Sequence, residues 1–351
     1  MKCKKIVLGY VPVMRDTFPV APARQMRDRI RARVDEILQG NEHIELADAA
    51  PLLPDGMLWD NADVEKVAAF LEEKHADALF LPHCNFGQEE AAAKLAARLG
   101  RPVLLWGPRD PAPEGLNFRP LDIQCGLFAT SKALVRYGVP FTYLENCNLD
   151  SEILAEGLDR FARTVAVVKA MRGMRVGQIG LRPRQFLSVK VNESELLEKL
   201  GIEVTPIWTE EITTVVAKLR SGNADKIGRV QKIELPMATK RLGTLEDRGP
   251  DPSIRQRMED IRSKVDCTNV KDDTLEKIAV VELAIERIAQ LHELDAIALD
   301  CWAYLSSEFG IGACFVIGDL IDRGLVVACE TDIHAAITAR MLYAATFDSS
   351  C

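Results

Sequence analysis

Residues 76–106, ADALFLPHCNFGQEEAAAKLAARLGRPVLLW, decide the fold. The apolar run 76–81 has the length of a buried strand, 89–99 is an alanine-rich helical stretch, and 102–106 is a second short apolar run. Two strands joined through a helix pair in parallel, because antiparallel neighbours need no such crossover. The alternation extends in both directions. Upstream come a strand at 5–9 and helical patterns at 24–38 and 63–74; downstream come a helix at 125–137, a strand at 141–144 and a long helix at 150–172. Gly173 stops that helix.

A second series then begins. Strands are expected at 175–181, 203–207, 296–299, 313–317 and 325–328, and helices at 193–200, 210–220, 274–291, from Trp302, and at 333–345. The helix at 274–291 is the clearest, amphipathic and apolar at Ile278, Val281, Leu283, Ile285 and Ile288. Residues 240–253 are polar, carry Gly243, Gly249, Pro250 and Pro252, and read as a loop. The fold class is therefore α/β. We expect two doubly wound, flavodoxin- or Rossmann-like parallel-sheet domains, at residues 1–172 and 173–351.

Composition narrows the function. The chain has 351 residues, 48% apolar and 27% charged, which is the balance of a soluble globular protein, and its length fits two domains or three. A net charge of −8 and the lack of a dense basic run argue against a nucleic-acid partner. No apolar stretch is long enough to span a bilayer, and the start, Met1-Lys2-Cys3-Lys4-Lys5, leads into too short an apolar run for a signal peptide. Nine scattered cysteines without a Cys-x-x-Cys pair read as reduced thiols, so a cytoplasmic location is expected. The spacing of Cys301, Cys314 and Cys329 does not suit a structural zinc finger.

Dinucleotide and nucleotide chemistry find no support. Gly177-x-x-Gly180 lacks a third glycine, Gly310-x-Gly312 is expected to precede a strand, and there is no phosphate loop or Gly-x-Ser-x-Gly. What remains lies at strand ends, where open α/β sheets bind ligands. Arg15 follows the first strand and would either hold a substrate oxygen or pair with Asp16. In Pro82-His83-Cys84-Asn85-Phe86-Gly87-Gln88-Glu89, Asn85 or Gln88 would face a ligand or cap the next helix. Glu308 and Asp332, 24 positions apart, each stand where a strand-like run meets a helical pattern. Carboxylates from neighbouring strand ends can share a divalent cation. The alternatives are a helix cap for Asp332 and an exposed helical position for Glu308.

These motifs, taken in order, resemble the L-fucose isomerase and L-arabinose isomerase superfamily, in particular its L-fucose isomerase-like branch. The resemblance is carried by the Arg15 loop, Asn85-Phe86-Gly87-Gln88-Glu89, Asp122-x-x-Cys125-Gly126, Gly177-x-x-Gly180-Leu181-Arg182-Pro183, Cys301-Trp302, Glu308 and Cys329-Glu330-Thr331-Asp332. It covers essentially the whole chain. The resemblance implies a metal-dependent aldose–ketose isomerase, usually with manganese, acting on a small-molecule sugar as a homo-oligomer, a trimer or a hexamer. By resemblance Glu308 and Asp332 match the two carboxylate metal ligands, and one of them moves the proton between C2 and C1. Arg15, Asn85, Arg182 and Trp302 would bind the sugar. Members of the family have two α/β domains followed by a largely β domain that supplies a histidine ligand; neither His292 nor His334 stands at its place. The chain is thus expected to be truncated, with the C-terminal β domain absent. A non-enzymatic sugar-binding or regulatory module is the alternative.

Overall fold

The computed structural model describes residues 5–112, 119–228 and 248–347. They fall into two compact units that divide between Lys169 and Ala170.

The first unit runs β1 (Ile6–Tyr10), α1 (Val20–Leu38), β2 (Ile44–Asp48), α2 (Val64–Glu73), β3 (Ala78–Pro82), α3 (Glu89–Leu99), β4 (Val103–Trp106), α4 (Ile123–Arg136), β5 (Phe141–Tyr143) and α5 (Glu152–Met171). All strands are parallel, in the order β2-β1-β3-β4-β5. The stretch 76–106 forms β3, α3 and β4, and both strands are buried along their whole length. Central strands covered on both faces read as continuous apolar runs, which is why these were visible in the sequence. β2, Ile44-Glu45-Leu46-Ala47-Asp48, is an edge strand with polar residues facing water, and its mixed pattern escaped that reading.

The second unit runs β6 (Arg175–Ile179), α6 (Glu193–Leu200), β7 (Glu203–Ile207), α7 (Thr209–Arg220), α8 (Pro252–Lys264), α9 (Asp272–His292), β8 (Ala296–Leu299), α10 (Ser306–Phe309), α11 (Ala313–Asp322), β9 (Val326–Ala328) and α12 (Ile333–Ala345). Its parallel sheet has the order β7-β6-β8-β9. One face packs on α7, α8, α9 and α11 through residues such as Ile212, Ile261, Ile285 and Leu320. The other face packs on α6 and α12 through Leu196, Ile333 and Ile337. The expected α/β class with two parallel sheets is what the structure shows.

Three sequence expectations are corrected. Residues 313–317 are not a strand but the start of α11, which buries Ala313, Val316 and Leu320 at helical spacing. The reason is topological: β8 and β9 are parallel neighbours, so a crossover helix must join them. Gly310-x-Gly312 therefore opens a helix, with Gly312 as its cap. In the expected loop 240–253, residues 240–247 lie outside the described residues. Pro252 and Ser253 instead begin α8, where Asp251 accepts the Ser253 N–H and proline takes the first helical position.

α8, α9 and α11 enclose a charged network. Arg257 binds Glu282 at 3.1 Å and Glu286 at 2.7 Å, while Asp319 meets Lys264 at 2.8 Å and also Arg323. Glu282 is fully buried, and its Oε1 has no hydrogen-bond partner.

Candidate functional site

In a doubly wound sheet the ligand crevice opens at the carboxyl ends of the strands where the order reverses, here between β1 and β3 in the first unit and between β6 and β8 in the second. The sequence candidates gather at these two edges.

At the first edge, Arg15 and Asn85 are brought into direct contact. The Asn85 carbonyl Oδ1 accepts the Arg15 backbone N–H at 2.8 Å and the Gly87 N–H at 3.1 Å. Its Nδ2 donates to the Arg15 carbonyl at 3.1 Å. Asn85 is fully buried and is a clamp between two loops. Gln88 takes the cap position of α3 but makes no side-chain cap bond. Arg15 does not pair with Asp16. Its guanidinium lies over the Phe86 ring, 4.3 Å from the centroid, donates from Nε to the Gly87 carbonyl at 3.0 Å, and approaches Glu89 at 3.8 Å.

His83 closes the same loop through Nδ1, 3.0 Å from the Phe86 carbonyl. Only a protonated Nδ1 can donate to a carbonyl, so Nε2 is an acceptor, buried and unpartnered. Burial pulls the His83 pKa down to about 4, so the ring is neutral. Gly126 of α4 backs the loop: a Cβ there would stand 1.6 Å from the Phe86 carbonyl oxygen. Close backbone approach thus explains the glycine in Asp122-x-x-Cys125-Gly126. Asp122 and Cys125 of that motif line a cavity of about 460 Å³ with Arg109, Asp110 and Tyr143. Asp110, which the sequence did not single out, accepts the first N–H groups of α4.

At the second edge Gly180 turns the chain out of β6 with φ +81°, and a Cβ there would meet the Cβ of Asp300 at 2.6 Å. Beyond it, Arg182 donates from Nη1 to the carbonyls of Pro183, Arg184 and Phe186. The Phe186 ring packs 5.8 Å from Trp302, which is 58% exposed. Arg182 and Trp302, on loops after different strands, therefore both contact Phe186. Trp302 lies in a single π-helical turn, Cys301–Leu305, a form that often marks functional sites.

β9 ends in Cys329-Glu330-Thr331-Asp332, and both Glu330 and Thr331 hold left-handed φ values of 60° and 53°. A β-branched residue there is strained, and such strain collects at functional sites. The Glu330 N–H donates to Cys301 Sγ at 3.3 Å, and the Cys301 thiol lies 3.6 Å from Glu330 Oε1. Burial, with the Glu330 and Cys329 charges nearby, lifts the Cys301 pKa to about 11. Glu330 Oε2 and Thr331 Oγ1 are buried without hydrogen-bond partners. Asp332 caps α12, its Oδ1 accepting the Ala335 N–H at 2.9 Å, so the cap alternative holds for that oxygen.

Glu308 does not stand at a strand end. It lies on the one-turn helix α10, nine residues past Leu299, and is exposed. The apolar run after it, misread as a strand, produced that misplacement. Among the described residues, the group of three donors within 4.8 Å of one another is Cys301, Cys329 and Glu330; Cys314 is not part of it. His292 is engaged with Glu211 at 3.0 Å, and His334 is exposed on α12. The cysteines among the described residues are all free. No single helix among them is long and apolar enough to cross a membrane.

Two doubly wound units with loops clustered at their switch points define a ligand-binding α/β scaffold, and the sequence comparisons narrow its kind. Residues 9–172 match the sequence model of the family described as fucose/sulfoquinovose isomerase, N-terminal domain. That match covers the first unit, and the curated relatives extend the similarity over most of the chain. Sulfoquinovose isomerases of Priestia aryabhattai and Priestia megaterium are each 26% identical to it over 336 residues, 95% of this chain. That of Alkalicoccus urumqiensis is 25% identical over 335 residues. The chain spans 65% of the length of each of these relatives.

Proposed function

We propose that this chain carries part of the site of a divalent-metal-dependent aldose–ketose isomerase, and that sulfoquinovose, the sugar in the names of its relatives, is the first substrate to test. One observation carries the reading. The strained turn at the end of β9 carries Asp332, of which only Oδ1 is hydrogen-bonded among the described residues, two positions after Glu330, whose Oε2 is buried and unpartnered. An orphaned carboxylate oxygen costs about 1–3 kcal/mol, a cost that a bound cation or ligand removes.

The donor chemistry fits a hard divalent cation, manganese by resemblance: carboxylate oxygens at Asp332 and Glu308, with Glu330 in reserve. Bound there, the metal would supply Lewis-acid stabilisation of charge developing on the sugar oxygens. The other work belongs to the chain. Asp332 or Glu308 takes the proton from C2 and returns it to C1, as a carboxylate within hydrogen-bond reach can. Arg182 after β6 and Trp302 after β8 orient the sugar, the tryptophan offering an apolar face to its C–H groups. Arg15, fixed by Asn85 and Phe86, offers a pre-oriented guanidinium to hydroxyl oxygens. Assembly into a homo-oligomer belongs to the same proposal.

The test is calorimetric titration of manganese into metal-free protein, wild type and Asp332→Asn, followed by a turnover assay with sulfoquinovose. Binding that disappears in the variant supports the reading. Wild-type affinity retained by both Asp332→Asn and Glu308→Gln refutes these residues as ligands.

A further inference from the structure

The cavity of about 400 Å³ at the carboxyl ends of β6 and β9 differs in charge from the rest of this acidic chain. Its lining holds Arg182, Arg184 and Lys190 against one carboxylate, Glu193. Several arginines elsewhere are neutralised by carboxylates: Arg31 lies against Asp35 and Asp48, Arg98 against Glu65 and Glu72, Arg257 against Glu282 and Glu286. Among the described residues, Arg184 and Lys190 meet no carboxylate. Arg182 commits only Nη1, to carbonyls of its own loop, which fixes the guanidinium and leaves Nε and Nη2 without an acceptor among the described residues.

The backbone adds to the same sign. Glu193 and Ile333, both in the lining, are the first residues of α6 and α12, so two helix N-termini meet here with their partial positive charge. Thr331, 3% exposed, lines the cavity and carries a hydroxyl with no partner. Gln178 adds an amide. A neutral ligand would leave three cations and a buried hydroxyl unanswered. An oxyanion with three acceptor oxygens matches them, and guanidinium groups recognise such groups in bidentate fashion.

We infer that this cavity is the subsite for an anionic substituent, a sulfonate or a phosphate ester, on a sugar ligand, held by Arg182, Arg184 and Lys190 with Thr331 donating to one oxygen. The sugar itself rests on the isomerase reading, whereas the preference for an anion rests on the cavity. Thr331 and Ile333 flank Asp332 in the chain, so one turn joins the anion subsite to the carboxylate assigned to proton transfer.

The test measures binding of glucose, glucose 6-phosphate and sulfoquinovose to the full chain at low and high salt. The proteins are wild type, Arg184→Gln with Lys190→Gln, and Glu193→Gln. At least one charged sugar should bind wild type about tenfold more tightly than glucose, with the margin narrowing as salt rises. The charged sugar that gains identifies the source of the anion. The double variant should bind charged sugar and glucose alike, and Glu193→Gln should widen the margin. Equal binding of all three sugars by wild type, or a margin that survives in the double variant, overturns the subsite. Loss of manganese binding or turnover with the margin intact would instead refute the isomerase reading and leave the subsite in place. Arg184 and Lys190 are exposed, so both substitutions spare the core.

Discussion

Replacing Glu282 by glutamine should make the second unit more stable in alkaline solution. Burial, then the charge of Asp319, raises the Glu282 pKa from 4.5 to about 8, against the pull of Arg257. A carboxyl with a raised folded pKa stabilises the fold while protonated. That contribution is fully present below pH 4.5, and it declines as pH rises and is gone above about 8. At about 1.4 kcal/mol per pH unit across that gap, the loss at alkaline pH amounts to roughly 5 kcal/mol at most. Glutamine keeps the shape and cannot ionise, while Arg257 retains Glu286 at 2.7 Å. Urea unfolding followed by circular dichroism, at pH steps from 5 to 9, measures the difference. Wild type and Glu282→Gln should be close at pH 5 and diverge as the pH rises, the variant being the more stable at pH 9. Parallel pH dependence, or a less stable variant at pH 9, would show that Glu282 is ionised and held by Arg257.

Three further outcomes are expected. Gly126→Ala drives a methyl into the Phe86 carbonyl and should cost about 1–3 kcal/mol, read in thermal unfolding, while shifting the amide resonances of Arg15 and Gly87; an unperturbed first unit would contradict the contact. Asp332→Asn should keep the α12 cap and full stability, whereas Asp332→Ala should lose about 1 kcal/mol in denaturant titration; equal stability would remove the cap from the account. Thr331→Gly relieves a left-handed β-branched residue and should stabilise by up to about 1 kcal/mol while weakening binding of a charged sugar; a clear destabilisation would mean that the turn is not strained.

The sequence showed those parts of the fold where one physical effect acts alone. β3 and β4 are buried on both faces and read as plain apolar runs, and α9 buries an apolar face broken only by Glu282. Where two effects compete, the reading slipped. Pro252 looked like a breaker because proline ends helices more often than it begins them, yet Asp251 before it was a legible cap. The run from Ala313 was apolar enough for either element, and only the parallel pairing of β8 with β9 demands a helix. The loops bearing Arg15, Asn85, Arg182 and Trp302 were legible as strand ends. That Asn85 binds Arg15, or that Cys301 meets Glu330, depends on register between strands far apart in sequence, which no local pattern records.

The Asn85 clamp has a kinetic consequence. The amides of Arg15 and Gly87, on loops after different strands, end on the same oxygen atom. One rotation of the Asn85 side chain would release both, and neither loop can swing far while that side chain holds. The first edge should therefore open as a single event rather than as two independent fluctuations, with both amides exchanging hydrogen at a common rate. A ligand held by Arg15 would then slow the motion of the loop that begins α3 without touching it.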